Sequence, residues 1–234
     1  MRTDEQGHRT PLDTLSVLSE GSRRRMFSFI RSERRAVTRE EAAASVGISR
    51  KLAAFHLEKL VEAGLLRARY EASGDVRKVG RRPKVYECTE ALISVSIPER
   101  SHELLADLLL EAVLDQGDGE SAEAAAVRTA RERGVALGGE ARVVTRPGRL
   151  GSERGLTACA QMLDNHGFEP VRETSDEVRL RNCPFHPLAA KAPGLVCAMN
   201  QAFIAGYLEG LEVSRVEAVL EPVSGACCVR LTAS

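Results

Sequence analysis

The residues best suited to chemistry in this chain are its cysteines: Cys88, Cys159, Cys183, Cys197, Cys227 and Cys228. Four of the six fall in the last 52 of 234 residues, and that clustering points to a metal or redox site. Thirteen residues separate Cys183 from Cys197, and no CxxC knuckle is present, so this is not an ordinary zinc ribbon or finger. Cys183, Cys197 and Cys227 are the primary candidate ligands, with Cys228 and His186 as candidates for the remaining position. Three thiolates plus one further ligand suit an iron–sulfur cluster. Cys183, His186, Cys197 and Cys227 would equally serve zinc as a Cys3His site. Cys88 and Cys159 have no partner nearby in sequence and read as small buried hydrophobes.

The elements that must position these thiols follow from the local sequence. Pro184 suits the first turn of a helix, which places Cys183 at or near its N-cap and His186 in its first turn. Pro193-Gly194 is expected to end that helix, with Cys197 in the first turn of the next, which runs to about Leu211. Strands are expected at Val216–Leu220 and at Ala226–Leu231, joined by a turn at Pro222–Gly225. Strand alternation would turn Cys227, Val229 and Leu231 inward and Cys228 and Arg230 the other way. Upstream, a helix over 153–166 and a hairpin of 168–172 with 178–181 complete a small α+β domain.

The rest of the chain has a different character. Formal net charge is zero, but residues 1–90 hold 19 Lys+Arg against 13 Asp+Glu, while residues 91–234 hold 14 against 20. A basic front on a neutral protein points to a polyanion partner for that part alone. At 4% aromatic residues and no Trp, base-stacking single-strand binding is disfavoured.

Residues 12–32 have helical periodicity with a polar interruption at Glu20-Gly21-Ser22. Thr38-Arg39-Glu40-Glu41 is a capping box opening a short helix to about residue 46. Gly47 supplies a turn, Ile48 plugs the angle, and Ser49 caps a helix from Arg50 to Ala63 that Gly64 ends. Short strands over 65–70 and 84–88 follow, and five of the eight residues from Arg77 to Lys84 are basic. Helix, turn, helix and basic hairpin in this order predict a winged helix-turn-helix. The expected DNA contacts are Ser49, Arg50, Lys51, Phe55, His56 and Lys59 from the recognition helix. From the wing they are Arg77, Lys78, Arg81, Arg82 and Lys84.

The stretch FHLEKLVEAGLL followed by VRKVGRRPKVYECTE resembles the winged-helix regulators of the broad ArsR-like class. NCPFHPLAAKAPGLVCAMNQAFIAGYLEGL with the terminal GACCVRL resembles the SufR-like repressors. That resemblance implies a C-terminal iron–sulfur cluster, ligation by Cys183, Cys197 and one of Cys227 or Cys228, and control of cluster-assembly genes. No His follows His186, so the fourth ligand and the choice between 2Fe-2S and 4Fe-4S stay open.

The expected organisation is therefore a flexible N-terminus at 1–11, a winged helix-turn-helix at 12–97, connector and dimerisation helices at 98–140, and a sensor domain at 141–234. The fold class is α+β, mostly helical, with a small antiparallel sheet in the second domain. Apolar residues cover more than one side of 104–114, and helix-turn-helix proteins read two half-sites, so a homodimer on a double-stranded DNA operator is expected. The opening MRTDEQGHRT has no apolar run and no segment has the length of a membrane span, which reads as a cytoplasmic protein. No phosphate-cradling Gly loop, HExxH or GxSxG is present, so the chain is read as a regulator without a small-molecule substrate rather than an enzyme.

Overall fold

The computed structural model describes residues 10–70, 83–90, 93–145 and 150–234. The chain divides into two compact units, Met1–Val95 and Ser96–Ser234. The fold is α+β and mostly helical, with one small antiparallel sheet in each unit. No described helix is long and apolar enough to cross a membrane.

The first unit runs α1 (Pro11–Ser16), a 3-10 turn (Val17–Ser19), α2 (Gly21–Glu33), β1 (Val37–Thr38), α3 (Arg39–Val46), α4 (Arg50–Glu62), β2 (Leu66–Tyr70) and β3 (Lys84–Cys88). The helical stretch expected over 12–32 breaks at Glu20. The Glu20 carboxylate accepts the N–H groups of Ser22 and Arg23 at 2.9 and 2.7 Å, which caps α2. Thr38 and Glu41 form the reciprocal capping box: Thr38 donates its N–H to Glu41 at 2.7 Å, and Glu41 donates its own to Thr38 Oγ1 at 3.2 Å. Gly47, at φ 70, takes the left-handed conformation that turns α3 into α4, and half-buried Ile48 packs onto the core there.

Met26 and Ile30 from α2, Ala42 from α3, and Ala53, Leu57 and Leu60 from α4 meet in one core with Leu66 and Tyr86. Steps of three and four put Ala53, Leu57 and Leu60 on a single face. Leu57 and Leu60 are fully buried, and truncating either to Ala would cost about 2–5 kcal/mol. The sheet order is β1-β3-β2, with Val37 opposite Tyr86 and Ala68 opposite the same residue on the other side. β1 was not expected from sequence; it is two residues long and exists only because β3 offers it an edge.

The second unit runs α5 (His102–Leu114), α6 (Ala122–Thr145), α7 (Ser152–Asn165), β4 (Pro170–Arg172), β5 (Glu177–Leu180), α8 (Leu188–Lys191), α9 (Pro193–Gly210), β6 (Val216–Leu220) and β7 (Val229–Ala233). The sheet order is β4-β5-β7-β6, antiparallel throughout. Helix α9 is buried on most of its circumference, as its nearly all-apolar sequence requires.

Glycines bring α6 and α9 into direct backbone contact. A Cβ on Gly134 would stand 2.1 Å from Phe203 O, and one on Gly206 would stand 2.1 Å from Arg131 O. Gly138 and Gly210 repeat this one turn on, against Tyr207 O and Val135 O. Four glycines at i, i+4 spacing on two helices thus form a flat seam that no side chain separates.

Residues 98–140, expected as connector and dimerisation helices, share one hydrophobic core with the remainder of the second unit through Leu105, Leu108, Ala112, Ala125, Ala126 and Ala130. Other sequence expectations are corrected by the structure. The second apolar side of α5 is exposed in the single chain, where Leu110, Val113 and Leu114 face outward. α6 continues to Thr145, past the expected connector boundary at 140. Pro184 lies in a turn instead of opening a helix, and the following helix is only Leu188–Lys191. Pro193 and Gly194 start α9 rather than ending the helix before it, with Pro193 in the first turn, where a missing N–H costs nothing. The last strand begins at Val229, so Cys227 and Cys228 precede it and the alternation argument does not apply to them.

Candidate functional site

Four thiols converge in the second unit. Cys183 lies after β5, at the head of a turn in which its carbonyl accepts the His186 N–H at 3.1 Å. Arg100 fixes this turn from outside, donating to Asn182 Oδ1 at 2.6 Å and to the Cys183 carbonyl at 3.1 Å. Asn182 in turn donates to the Glu99 and Gly167 carbonyls. Cys197 sits in the second turn of α9. Cys227 is held by its N–H donating to the Leu180 carbonyl at 2.9 Å, and Cys228 by its carbonyl accepting the Glu221 N–H at 2.7 Å. These backbone bonds bring the Cys227-Cys228 pair against the end of β5.

The side chains form a relay of neighbouring thiols. Cys183 neighbours Cys227, Cys227 neighbours Cys228, and Cys228 neighbours Cys197, closely enough for each to act on the other's thiol. Cys227 and Cys228 are both buried, and Cys183 and Cys197 are half-buried. Donation to Cys227, with burial added, raises the Cys183 thiol far above the usual range, although the Phe185 and His186 N–H groups pull the other way. At Cys227 the bond from Cys183 favours the thiolate, but its bond to Cys228 and burial outweigh this and push it up to about 11. Burial raises Cys197, against a hydrogen bond from Cys228 that favours its thiolate. Burial and neighbouring thiols thus favour the protonated form of Cys183, Cys197 and Cys227. A metal would have to displace those protons.

No group of three or more His, Cys, Asp or Glu side chains among the described residues is placed to hold a metal ion as it stands. The donor chemistry suits a soft, thiophilic metal: four sulfurs from three separate segments, two of them buried and two half-buried. Cys183, Cys197, Cys227 and Cys228 are the residues that could hold such a group. Cys228, a reserve candidate on sequence, stands level with the other three, because both members of the pair turn inward ahead of β7. His186 does not join them. Its ring is exposed, and its backbone N–H rather than its imidazole points at Cys183. Cys159 is fully buried on α7 and Cys88 lies on β3 in the first unit; neither touches the relay.

Sequence reasoning missed Asn200. It lies three residues after Cys197 on α9, hence on the same helix face, and that spacing was the available signal. Its Nδ2 donates to Cys227 Sγ at 3.2 Å.

In the first unit the candidate nucleic-acid interface is the outer face of α4 and the base of the β2–β3 hairpin. Ser49 caps α4, its hydroxyl accepting the Leu52 N–H at 3.3 Å. Arg50, Lys51 and Phe55 are exposed along its N-terminal half, and the first turn holds no acidic residue. Lys51 has no charged partner among the described residues, whereas Arg50 approaches Glu40 at 3.7 Å. Lys59 is half-buried and paired with Glu62 at 2.7 Å.

Two expected contacts are reassigned. His56 is buried, 3.6 Å from Glu20, because position 56 lies beside Ala53, Leu57 and Leu60 on the core side of α4; it cannot reach a base edge. Lys84 binds Glu58 at 2.6 Å and lies 5.5 Å over the Tyr86 ring, so its charge ties α4 to β3. That hydrogen bond to Glu58 raises the Lys84 pKa. Arg77, Lys78, Arg81 and Arg82 lie outside the described residues. Exposed Arg67 and Arg69 on β2, both paired with Glu87, were missed; two arginines at i, i+2 on a strand share one face.

No curated protein matches the chain. Residues 18–69, which cover α2 to β2, match a family model described as a helix-turn-helix domain. With the three-stranded sheet beside it, the first unit is a winged helix-turn-helix of the kind that serves DNA-binding transcription regulators.

Proposed function

We propose that the protein is a transcriptional repressor that binds double-stranded DNA through α4 and its wing and senses iron–sulfur cluster status through Cys183, Cys197, Cys227 and Cys228. The observation that carries the reading is the convergence of four cysteines from three distant segments on one core, in a chain whose first unit holds a helix-turn-helix domain. A bound cluster would supply a cross-link between the Cys183 turn, α9 and the segment ahead of β7. The chain's own part is to present four sulfurs and to hold the Cys183 turn through Arg100 and Asn182.

The repressor binds as a homodimer in this reading, since a helix-turn-helix reads paired half-sites. The exposed apolar side of α5 is consistent with a second copy. The cluster-loaded dimer holds the operator and the empty form releases it. A hundredfold difference in affinity requires only about 2.7 kcal/mol. The targets proposed are genes of cluster assembly, in a cytoplasmic setting, from the resemblance to SufR-like repressors alone.

The test is purification of the full chain without oxygen, with iron, sulfide and zinc measured on the sample used for gel shifts. Broad visible absorption with stoichiometric iron and sulfide, and operator binding that falls when the cluster is stripped, supports the reading. Colourless protein carrying stoichiometric zinc would overturn the cluster in favour of a zinc- or thiol-based redox regulator, the alternative that the same four sulfurs support.

A further inference from the structure

We infer that Asn200 is a positioning residue of the four-thiol site, its side-chain amide donating to the Cys227 sulfur so as to stabilise that sulfur in its metal-bound thiolate form. The inference rests on the cluster reading above.

Asn200 is 1% exposed in the middle of α9, a helix otherwise packed with apolar side chains. A carboxamide there is costly. It brings two donors and one acceptor into a dry core, and a buried polar group left unpaired costs about 1–3 kcal/mol. A Leu or Met at this position would fill the same space without that cost. The amide makes one hydrogen bond in the structure, from Nδ2 to Cys227 Sγ at 3.2 Å, and its Oδ1 finds no partner among the described residues. The side chain is thus aimed at one of the four sulfurs and satisfied by nothing else.

The chemistry explains why an amide N–H suits that place. A neutral thiol is a weak acceptor and gains little from the contact. A thiolate ligand carries full negative charge, and a charge-assisted N–H···S bond is worth roughly twice a neutral one. Donors to ligand sulfur withdraw electron density and favour the more reduced, more negative state, so they raise a cluster's reduction potential. Asn200 shares α9 with Cys197, one turn away, and touches Cys227 from another segment. It therefore also fixes the distance between two of the three segments that must close on a metal.

The experiment reconstitutes full-length wild type, Asn200→Leu and Asn200→Asp anaerobically with ferrous iron and sulfide. Iron retained under chelator challenge, the cluster midpoint potential and far-UV circular dichroism are then measured. Asn200→Leu should lose iron on the order of 10–100-fold faster, the usual cost of removing an outer-sphere partner, and should shift the potential downward with the helical signal unchanged. Asn200→Asp keeps the shape but replaces the donor with an anion beside the sulfurs. It should be at least as damaging, and it decides the matter if the Leu variant fails to fold. A merely structural role would not move the potential.

Variants that retain iron and potential like wild type overturn the inference and leave the cluster reading standing. An Asn200→Asp protein that holds iron more tightly than wild type also overturns it, by making position 200 an oxygen ligand. A wild type that takes up no iron or sulfide overturns the cluster reading and this inference with it.

Discussion

The two units solve opposite problems with the same kind of element. In the first, functional groups stand on the outside of a helix whose inner face is the core, and each helix start is fixed by a neighbour three residues away: Glu20 with Arg23, Thr38 with Glu41, Ser49 with Leu52. In the second, the candidate ligands come together from segments that are distant in sequence, and helix α9 both forms the scaffold and carries one of them, Cys197. The comparison teaches that a surface for reading a polyanion can be specified locally, whereas a nest of sulfurs needs the whole unit folded around it.

The sharpest way to break the comparison is at the sulfurs. Cys183→Ser should abolish iron, sulfide and visible absorption, and lower operator affinity about a hundredfold, or 2.7 kcal/mol, while leaving the helical signal intact. Cys88→Ser and Cys159→Ser should change neither, since both lie outside the relay. A colourless Cys183→Ser protein that grips the operator like wild type in the same gel-shift titration would separate the two units' functions altogether.

The next largest effect tests whether the second unit depends on its helix seam. Gly206→Ala should gain roughly 0.5–1 kcal/mol in helix propensity and lose more to the clash with Arg131 O, a net cost of about 2–3 kcal/mol in denaturant unfolding. Gly139→Ala on the same helix as Gly134 meets nothing within 4 Å, so only the favourable term remains and stability should rise by about 0.5–1 kcal/mol. Equal outcomes for the two glycines would remove the seam from the account.

The first unit is probed at its exposed face. Lys51→Ala should cost about 1–3 kcal/mol of operator affinity if the ammonium reaches a guanine edge, and change base preference there. His56→Ala should act on stability instead, because its ring is buried against Glu20. A uniform loss across sequences for Lys51→Ala, with the salt slope reduced by about one, would make it a phosphate contact.

The smallest expected effect is at a cap. Thr38→Ala should cost about 1 kcal/mol in thermal or denaturant unfolding. The Thr38 N–H bond to Glu41, with Arg35 beside it, lowers the Glu41 carboxyl from 4.5 to about 2. A depressed carboxyl contributes above its unfolded value, so that contribution should be complete above about pH 4.5 and fade as pH falls toward 2. A Glu41→Gln protein should therefore differ from wild type at pH 6 and converge with it near pH 2.

Most of the first unit was legible because its signals are short-range. The capping box, the Gly47 turn, the Ser49 cap and the apolar steps on α4 each act over three or four residues. What failed there was rotational detail. His56 was expected to face DNA with Lys51, Phe55 and Lys59, yet helix rotation brings His56 under the core side. Lys84 looked like a wing charge until β3 brought it beside Glu58, 26 residues away in sequence.

In the second unit the cysteines were visible as a group, but their geometry was read from local rules that tertiary packing overrode. Pro184 suggested a helix start; the Arg100 and Asn182 clamp holds a turn there instead. Strand periodicity divided Cys227 from Cys228, but the pairing with Leu180 begins before the strand does, so both turn inward.

The sequence by itself determined the helix-turn-helix, the caps, the existence of most strands and the identity of the sulfur-bearing segments, because propensity, capping and periodicity are properties of neighbouring residues. Only the tertiary structure decided that Cys228 ranks with the other three, that His186 stands outside, and that Asn200 donates to Cys227. Those facts depend on which segments meet across a sheet edge and a helix face, and burial enforces such meetings between residues that the chain keeps far apart.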